Sequence, residues 1–184
     1  FSNYNKYSDF SESIIINKLS NTLLDVVEDH LISDVEIGAF LSGGIDSSLI
    51  LSFLKKTKKE KIKTFTIGFN EKNYDESSNA RDIATFFNTE HKEIIVSPDD
   101  AIKSIDSLSS IYSEPFADSS QIPAYLVSKL ASQYVKVVLT GDGGDELFGG
   151  YNRYILISKI INKPYLLKLF YKNFINLFTP RIWN

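Results

Sequence analysis

The chain has 184 residues, 43% of them hydrophobic and 23% charged, with a formal net charge of −3. That is enough for one domain with a real core, and the mildly acidic balance argues against a general nucleic-acid binder. No apolar run approaches the ~20 residues that span a membrane, and the absence of cysteine excludes a disulfide and a cysteine nucleophile. The chain starts at Phe1 and has no methionine, so we expect a piece of a longer polypeptide. No signal peptide is visible, and a cytoplasmic setting is the expectation.

Ile16, Leu19, Leu23, Val27 and Leu31 recur at three- and four-residue spacing, which predicts an amphipathic helix over residues 9–32. Ser8 or Asp9 is its expected cap. Residues 36–41 read as a first strand, followed by a Gly-Ser loop and a helix with Leu49, Ile50, Phe53 and Leu54 as its apolar pattern. The lysine-rich stretch 55–63 is expected to be a solvated turn. Residues 63–69 alternate and are rich in Thr, Ile and Phe, a second strand. A helix over 74–87 would gather Ala80, Ile83, Ala84 and Phe87 on one face. Residues 91–96 read as a third strand, Pro98 opens another helix at a tolerated position, and Pro123 lies early in a helical run reaching about residue 134. Residues 136–140 read as a fourth strand, and the tail from Tyr151 as aromatic and helical, interrupted at Pro164. Strands alternating with helices predict an α/β fold, a doubly wound parallel sheet with helices on both faces.

The segment Leu41-Ser42-Gly43-Gly44-Ile45-Asp46-Ser47-Ser48 carries the first chemical signal. Glycines let backbone N–H groups approach a ligand. The start of the following helix adds unpaired N–H donors and partial positive charge, a site suited to phosphate. Ser42, Ser47 and Ser48 add hydroxyls. Asp46 is out of place beside phosphate unless a cation lies between them, so it points to Mg²⁺. An ordinary turn capped by Asp46 or Ser47 is the plainer reading, but two glycines flanked by serines and an aspartate make an unusual cap. No Gly-Lys-Ser/Thr ends the loop, so it is not a Walker-type P-loop. It resembles the SGGxDS pyrophosphate loop of the N-type ATP pyrophosphatases, which have an adenine nucleotide alpha-hydrolase-like fold and cleave ATP between the α- and β-phosphates.

A second loop, residues 140–151, follows the fourth strand and holds Asp142, Asp145 and Glu146 among five glycines. Clustered carboxylates repel unless solvent or metal compensates. A solvated acidic turn explains this loop alone. In doubly wound sheets, however, ligands bind beyond the carboxyl ends of strands at the switch in strand order. If the first and fourth strands are neighbours, Asp46 and Asp145 are expected to face one crevice.

Five segments then appear in the order seen in the synthetase domain of glutamine-dependent asparagine synthetases: Ser42 to Ser48, Thr64 to Phe69, Tyr74-Asp75-Glu76 with Ala80, Glu114 to Ser120, and Thr140 to Tyr151. The resemblance covers residues 11–154. It implies that Ser42, Gly43, Gly44, Asp46, Ser47 and Ser48 hold the phosphates of ATP, and that Asp46 and Asp145 bind Mg²⁺. Leu41, Ile67 and Gly141 would line the adenosine pocket. Asp142 stands where the family usually has glutamate, thought to act as a base or to orient the nucleophile, and is one methylene shorter. Asp118, Ser119 and Ser120 are acceptor-site candidates, with helix capping an equal alternative.

The implied reaction is adenylation of the aspartate carboxylate by MgATP with release of pyrophosphate, then attack by ammonia to give asparagine and AMP. The family draws that ammonia from a glutaminase domain with a catalytic cysteine, and neither is present here. Residues 1–184 are therefore expected to be one truncated synthetase domain, with the apolar tail 155–184 packing against sequence outside it. β-Lactam synthetases, lasso-peptide cyclases and sugar-modifying amidotransferases share these motifs, so another carboxylate acceptor stays open, as does a non-catalytic nucleotide-binding module. No nucleic acid or membrane partner is expected, and a homodimer stays open. His30 and His91 read as structural, Tyr151 and Tyr154 as weak site candidates, and Arg153 as a balance for the acidic loop or a surface residue.

Overall fold

A computed structural model describes residues 10–58, 60–71, 75–114 and 118–154. Its elements run α1 (Glu12–His30), β1 (Ile37–Phe40), α2 (Ile45–Thr57), β2 (Lys63–Phe69), α3 (Ser77–Phe86), β3 (Glu90–Val96), α4 (Pro98–Ile111), α5 (Gln121–Ala131), β4 (Val137–Leu139) and α6 (Gly144–Phe148). Two compact units form, residues 1–141 and residues 142–184.

In the first unit all four strands are parallel, in the order β3-β2-β1-β4. The chain builds outward from β1 through β2 to β3 and then returns to the other side of β1. The switch in strand order therefore falls between β1 and β4, the expected place for a ligand crevice. Register is continuous along β2 and β3, from Lys63 opposite Glu90 to Phe69 opposite Val96.

Alternation along the strands feeds two apolar cores. Ala39 and Leu41 pack with Val27 of α1, Leu51 and Leu54 of α2, and Ala80 and Ala84 of α3. Phe65, with Phe40 and Ile67, packs against Val127 and Ala131 of α5 and against Val135. Helices on both sides are what a buried parallel sheet requires. Thr64 and Thr66 are buried polar residues made tolerable by partners. Thr64 Oγ1 lies 2.8 Å from Thr89 Oγ1 and 2.9 Å from His91 Nδ1, and Thr66 Oγ1 donates to the carbonyl of Leu41. Burial, the largest influence on His91, holds its imidazole pKa below the ordinary value, as suits a structural histidine. His30 likewise sits in the last turn of α1, its Nδ1 2.7 Å from the Val26 carbonyl.

Several boundaries differ from expectation for identifiable reasons. α1 begins at Glu12 with Ser11 in the cap position; Ser8 and Asp9 lie outside the described residues. Only the C-terminal half of its apolar stripe reaches the core, through Leu23, Val27 and Leu31, while Ile16 is 56% exposed. In α2 it is Leu51, not Leu49, that is fully buried. α3 starts at Ser77 rather than 74, because the Asp75 carboxylate accepts from the Ser77 and Phe69 N–H groups and forms a turn ahead of the helix. Tyr74 lies outside the described residues. α4 begins as expected: Ser97 and Asp100 form a reciprocal capping box around Pro98. α5 stops at Ala131, since the Tyr134 and Val135 N–H groups both bond to its carbonyl, turning buried Val135 towards β4.

In the second unit, the glycine-rich loop contains one short helical turn, α6, rather than being wholly irregular. Its end is closed by the Gly149 and Gly150 N–H groups, which both bond to the Asp145 carbonyl. The expected tail, 155–184, lies outside the described residues.

Candidate active site

β1 delivers the chain into the Ser42–Ser48 turn from between two partners. The Leu41 N–H bonds to Phe65 O at 3.0 Å, and the Leu41 carbonyl takes the Thr66 hydroxyl. The exit of β1 is thus clamped to β2, and the loop starts from a fixed point.

Three hydroxyls then shape the loop. Ser47, buried at the start of α2, accepts from the Ser42 N–H at 3.2 Å, and its Oγ lies 3.0 Å from Ser42 Oγ. Ser42 Oγ accepts from the Gly44 N–H, and Ser48 Oγ donates to Gly44 O at 2.6 Å. Gly43 sits at φ +84°, a conformation costly for any residue with a Cβ. Gly44 occupies the N-cap of the 13-residue α2 with no side-chain cap, so the first-turn N–H groups and the positive end of the helix dipole are left for a ligand. The plainer reading of this segment, a turn capped by Asp46 or Ser47, is not what forms. Asp46 instead lies half-buried in the first helical turn.

The chain leaving β4 passes directly over that turn. A Cβ on Gly141 would meet Ser47 N at 2.7 Å and the Asp46 carbonyl carbon at 2.9 Å, so only glycine allows this approach. Beside the loop, at the carboxyl ends of β1 and β2, a slot of about 190 Å³ is lined by Phe40, Leu41, Ser42, Phe65, Thr66 and Ile67, with Phe69, Glu76 and Val127 at its sides. Of the sequence candidates in this unit, the structure brings together Leu41, the Ser42–Ser48 loop, Ile67 and Gly141. It adds Phe40, Phe65, Thr66, Phe69, Glu76 and Val127 to the slot lining, which sequence reasoning missed. Alternation in β2 would have put Phe65, Ile67 and Phe69 on one face; nothing local marked Val127.

Asp118, Ser119 and Ser120 form the turn ahead of α5 and are not among the residues lining the slot. Asp118 Oδ1 accepts from the Ser120 N–H at 2.8 Å, and these bonds hold its pKa below the ordinary carboxylate value. That is the self-capping geometry of an Asx turn.

In the second unit Asp142 occupies the turn before α6, and Asp145 and Glu146 lie in its first turn. The Tyr151 hydroxyl donates to Glu146 Oε1 at 2.6 Å, and this bond holds the Glu146 carboxyl below its usual range and the Tyr151 phenol above its own. The Arg153 guanidinium lies 4.1 Å from the Tyr151 ring centroid and 5.5 Å from that of Tyr154. Arg153 thereby stands over the aromatic pair beside the acidic turn. Among the described residues no three His, Asp or Glu side chains gather as a metal cage, and no helix is long and apolar enough to cross a membrane.

A parallel sheet with helices on both faces is a fold this chain shares with solved structures. The fold matches an ammonia-dependent NAD synthetase from Campylobacter jejuni, with a TM-score of 0.51 and 22% identity over 74% of this chain and 60% of that one. It also matches an NMN synthetase from Francisella tularensis, with a TM-score of 0.50 and 24% identity over 78% and 59%. The chain belongs to the asparagine synthase family, whose sequence profile matches residues 18–174. It is 43% identical over 143 residues to a putative glutamine-hydrolysing asparagine synthetase of Methanocaldococcus jannaschii, covering 77% of this chain and 28% of that protein. It is 38% identical over 143 residues to a Bacillus subtilis asparagine synthetase, covering 78% and 22%. The chain thus spans about a quarter of the length of these relatives.

Proposed function

We propose that this chain is the nucleotide-binding part of an ATP-dependent amide synthetase, with aspartate as the carboxylate that is activated. The observation that carries the reading is the uncapped start of α2, with Gly43 at φ +84° and an apolar slot beside it. N–H donors at an uncapped helix start suit a pyrophosphate, and a narrow aromatic-lined slot suits a planar base.

The first-turn N–H groups of α2, with Ser42, Ser47 and Ser48, hold the phosphates as negative charge develops on the leaving pyrophosphate. Leu41, Ile67 and Gly141 flank the adenosine. The donor set also fits Mg²⁺: Asp46 is a half-buried carboxylate within an anion site, and Mg²⁺ takes one or two carboxylates together with phosphate oxygens. Asp46 and Asp145 are the carboxylates we assign to it, and when bound it neutralises charge on the phosphates. The aspartate carboxylate attacks the α-phosphorus, forming the acyl-adenylate and releasing pyrophosphate. Ammonia then attacks the acyl carbon, giving asparagine and AMP. Asp142 orients the nucleophile or accepts its proton, and Asp118, Ser119 and Ser120 face the acceptor. Within a longer cytoplasmic enzyme, this segment belongs to one synthetase domain fed with ammonia by a glutaminase domain.

The test is calorimetric titration of the chain with MgATP, followed by pyrophosphate release on adding aspartate and ammonium. Binding with aspartate-dependent release supports the whole reading. Binding without release moves the acceptor to another carboxylate or leaves a binding module. A folded chain that does not bind MgATP sinks it.

A further inference from the structure

The first turn of α3 is wedged between two glycines that belong to different parts of the site. On one side is Gly68 of β2, where a Cβ would meet Ser77 Cβ at 2.9 Å and Asp75 Oδ1 at 3.0 Å. On the other is Gly43 of the anion loop, where a Cβ would meet Asn79 Cβ at 2.9 Å, Ala80 N at 3.0 Å and Glu76 O at 3.1 Å. Ser77 is 1% exposed and Ala80 fully buried, so the turn cannot give way outward or sink further without repacking. The floor beneath Gly43 is therefore α3 itself.

One side chain fixes that floor. Asp75 Oδ1 accepts from the Phe69 N–H, at the end of β2, and from the Ser77 N–H, at the first position of α3, both at 3.2 Å. A carboxylate here satisfies one of the orphan donors of the helix and lies at its positive end. Bonds from backbone N–H to an ionised carboxylate are stronger than neutral ones. The carboxyl is held below its ordinary pKa, chiefly by the bonds from Ser77, so the ionised form persists at neutral pH. Asp75 is not among the residues lining the slot. Its reach into the site is through α3.

We propose that Asp75 is a positioning residue for nucleotide binding: by tying the end of β2 to the first turn of α3, it sets the surface on which Gly43 holds the anion loop open to phosphate. The inference rests on the function proposed above, and it assigns to Asp75 a task that direct ligand contact does not require.

The experiment measures Kd for MgATP, and for Mg²⁺ with inorganic pyrophosphate, on four forms of the full chain: unchanged, Asp75→Ala, Asp75→Asn and Leu51→Ala. Leu51 is buried in the core and serves as a control for destabilisation alone. Asp75→Ala is expected to weaken both ligands about tenfold or more. Asp75→Asn keeps an acceptor oxygen without the charge, and should recover most of the loss while still binding about threefold more weakly than the unchanged chain. Leu51→Ala should lower Tm at least as far as Asp75→Ala yet leave both affinities within about twofold. If Asp75→Ala does not fold, a weakening of about threefold in Asp75→Asn carries the proposal and an unchanged Kd overturns it. Equal weakening in Leu51→Ala, or unchanged affinity in Asp75→Ala, overturns it while leaving the proposed function standing. Failure of the unchanged chain to bind either ligand removes both.

Discussion

The loop after β1 is held by hydroxyls that bond inward to its own backbone, whereas the turn that follows β4 adds to its backbone bonds a pair of side chains, Tyr151 on Glu146. The first arrangement spends its side chains on shape and leaves backbone N–H groups to face a ligand. The second ties Glu146 to Tyr151 as a brace. Backbone donors can be close-packed where side chains stay small, whereas clustered carboxylates repel unless solvent or metal compensates.

The sharpest way to break this comparison is to remove the carboxylates assigned to the metal. Asp46→Ala and Asp145→Ala are each expected to weaken Mg²⁺-dependent ATP binding by about a hundredfold, or about 2.7 kcal/mol. Circular dichroism and Tm should stay close to those of the unchanged chain. Unaltered MgATP affinity in both variants would sink the metal assignment.

A smaller effect tests the backbone side of the contrast. Gly141→Ala places a Cβ against Ser47 N, a backbone atom that cannot swing aside. The first turn of α2 must shift, and MgATP affinity is expected to fall about tenfold or more. Calorimetry showing full affinity would mean that the exit of β4 does not set the position of that turn.

The smallest effect concerns the brace. The Glu146 pKa is lowered, first by the Tyr151 hydroxyl and then by backbone and Arg153 contributions. Its share of stability is present above the ordinary carboxylate range and is lost as pH falls through the depressed value. The Tyr151 pKa is raised, so its share is present below the ordinary phenol range and is lost as pH rises through the elevated value. In Tyr151→Phe the Glu146 titration should move back up towards the ordinary range and the alkaline loss should vanish. NMR titration of the Glu146 carboxyl against pH checks the first, and thermal melts through the alkaline range the second. An unmoved Glu146 titration would show that the hydroxyl is not what holds it. Tm near neutral pH should change little, as is usual for exposed pairs.

Much of the site was legible because its chemistry is local in sequence. Ser42 to Ser48 carries its glycines, its hydroxyls and its helix start within one turn of chain, and β2 over 63–69 is marked by its own residue types. What failed did so where a partner outside the element itself decides. Leu49 and Leu51 are equally apolar, but only Leu51 lies on the α2 face that packs against the sheet. Tyr74 to Glu76 looked like the start of a helix, yet the Asp75 carboxylate is drawn to the Phe69 N–H and holds the chain in a turn.

By itself the sequence determined the alternation of strands and helices, the glycine-rich turn that opens α2 and the family, since these rest on propensity, glycine placement and motifs contiguous in the chain. Only the tertiary structure decided that β4 lies beside β1, that Gly141 rests on Ser47, and that α3 forms the floor under Gly43. Those are contacts between segments far apart in the chain, selected by how the two cores close around the sheet. No local pattern encodes them.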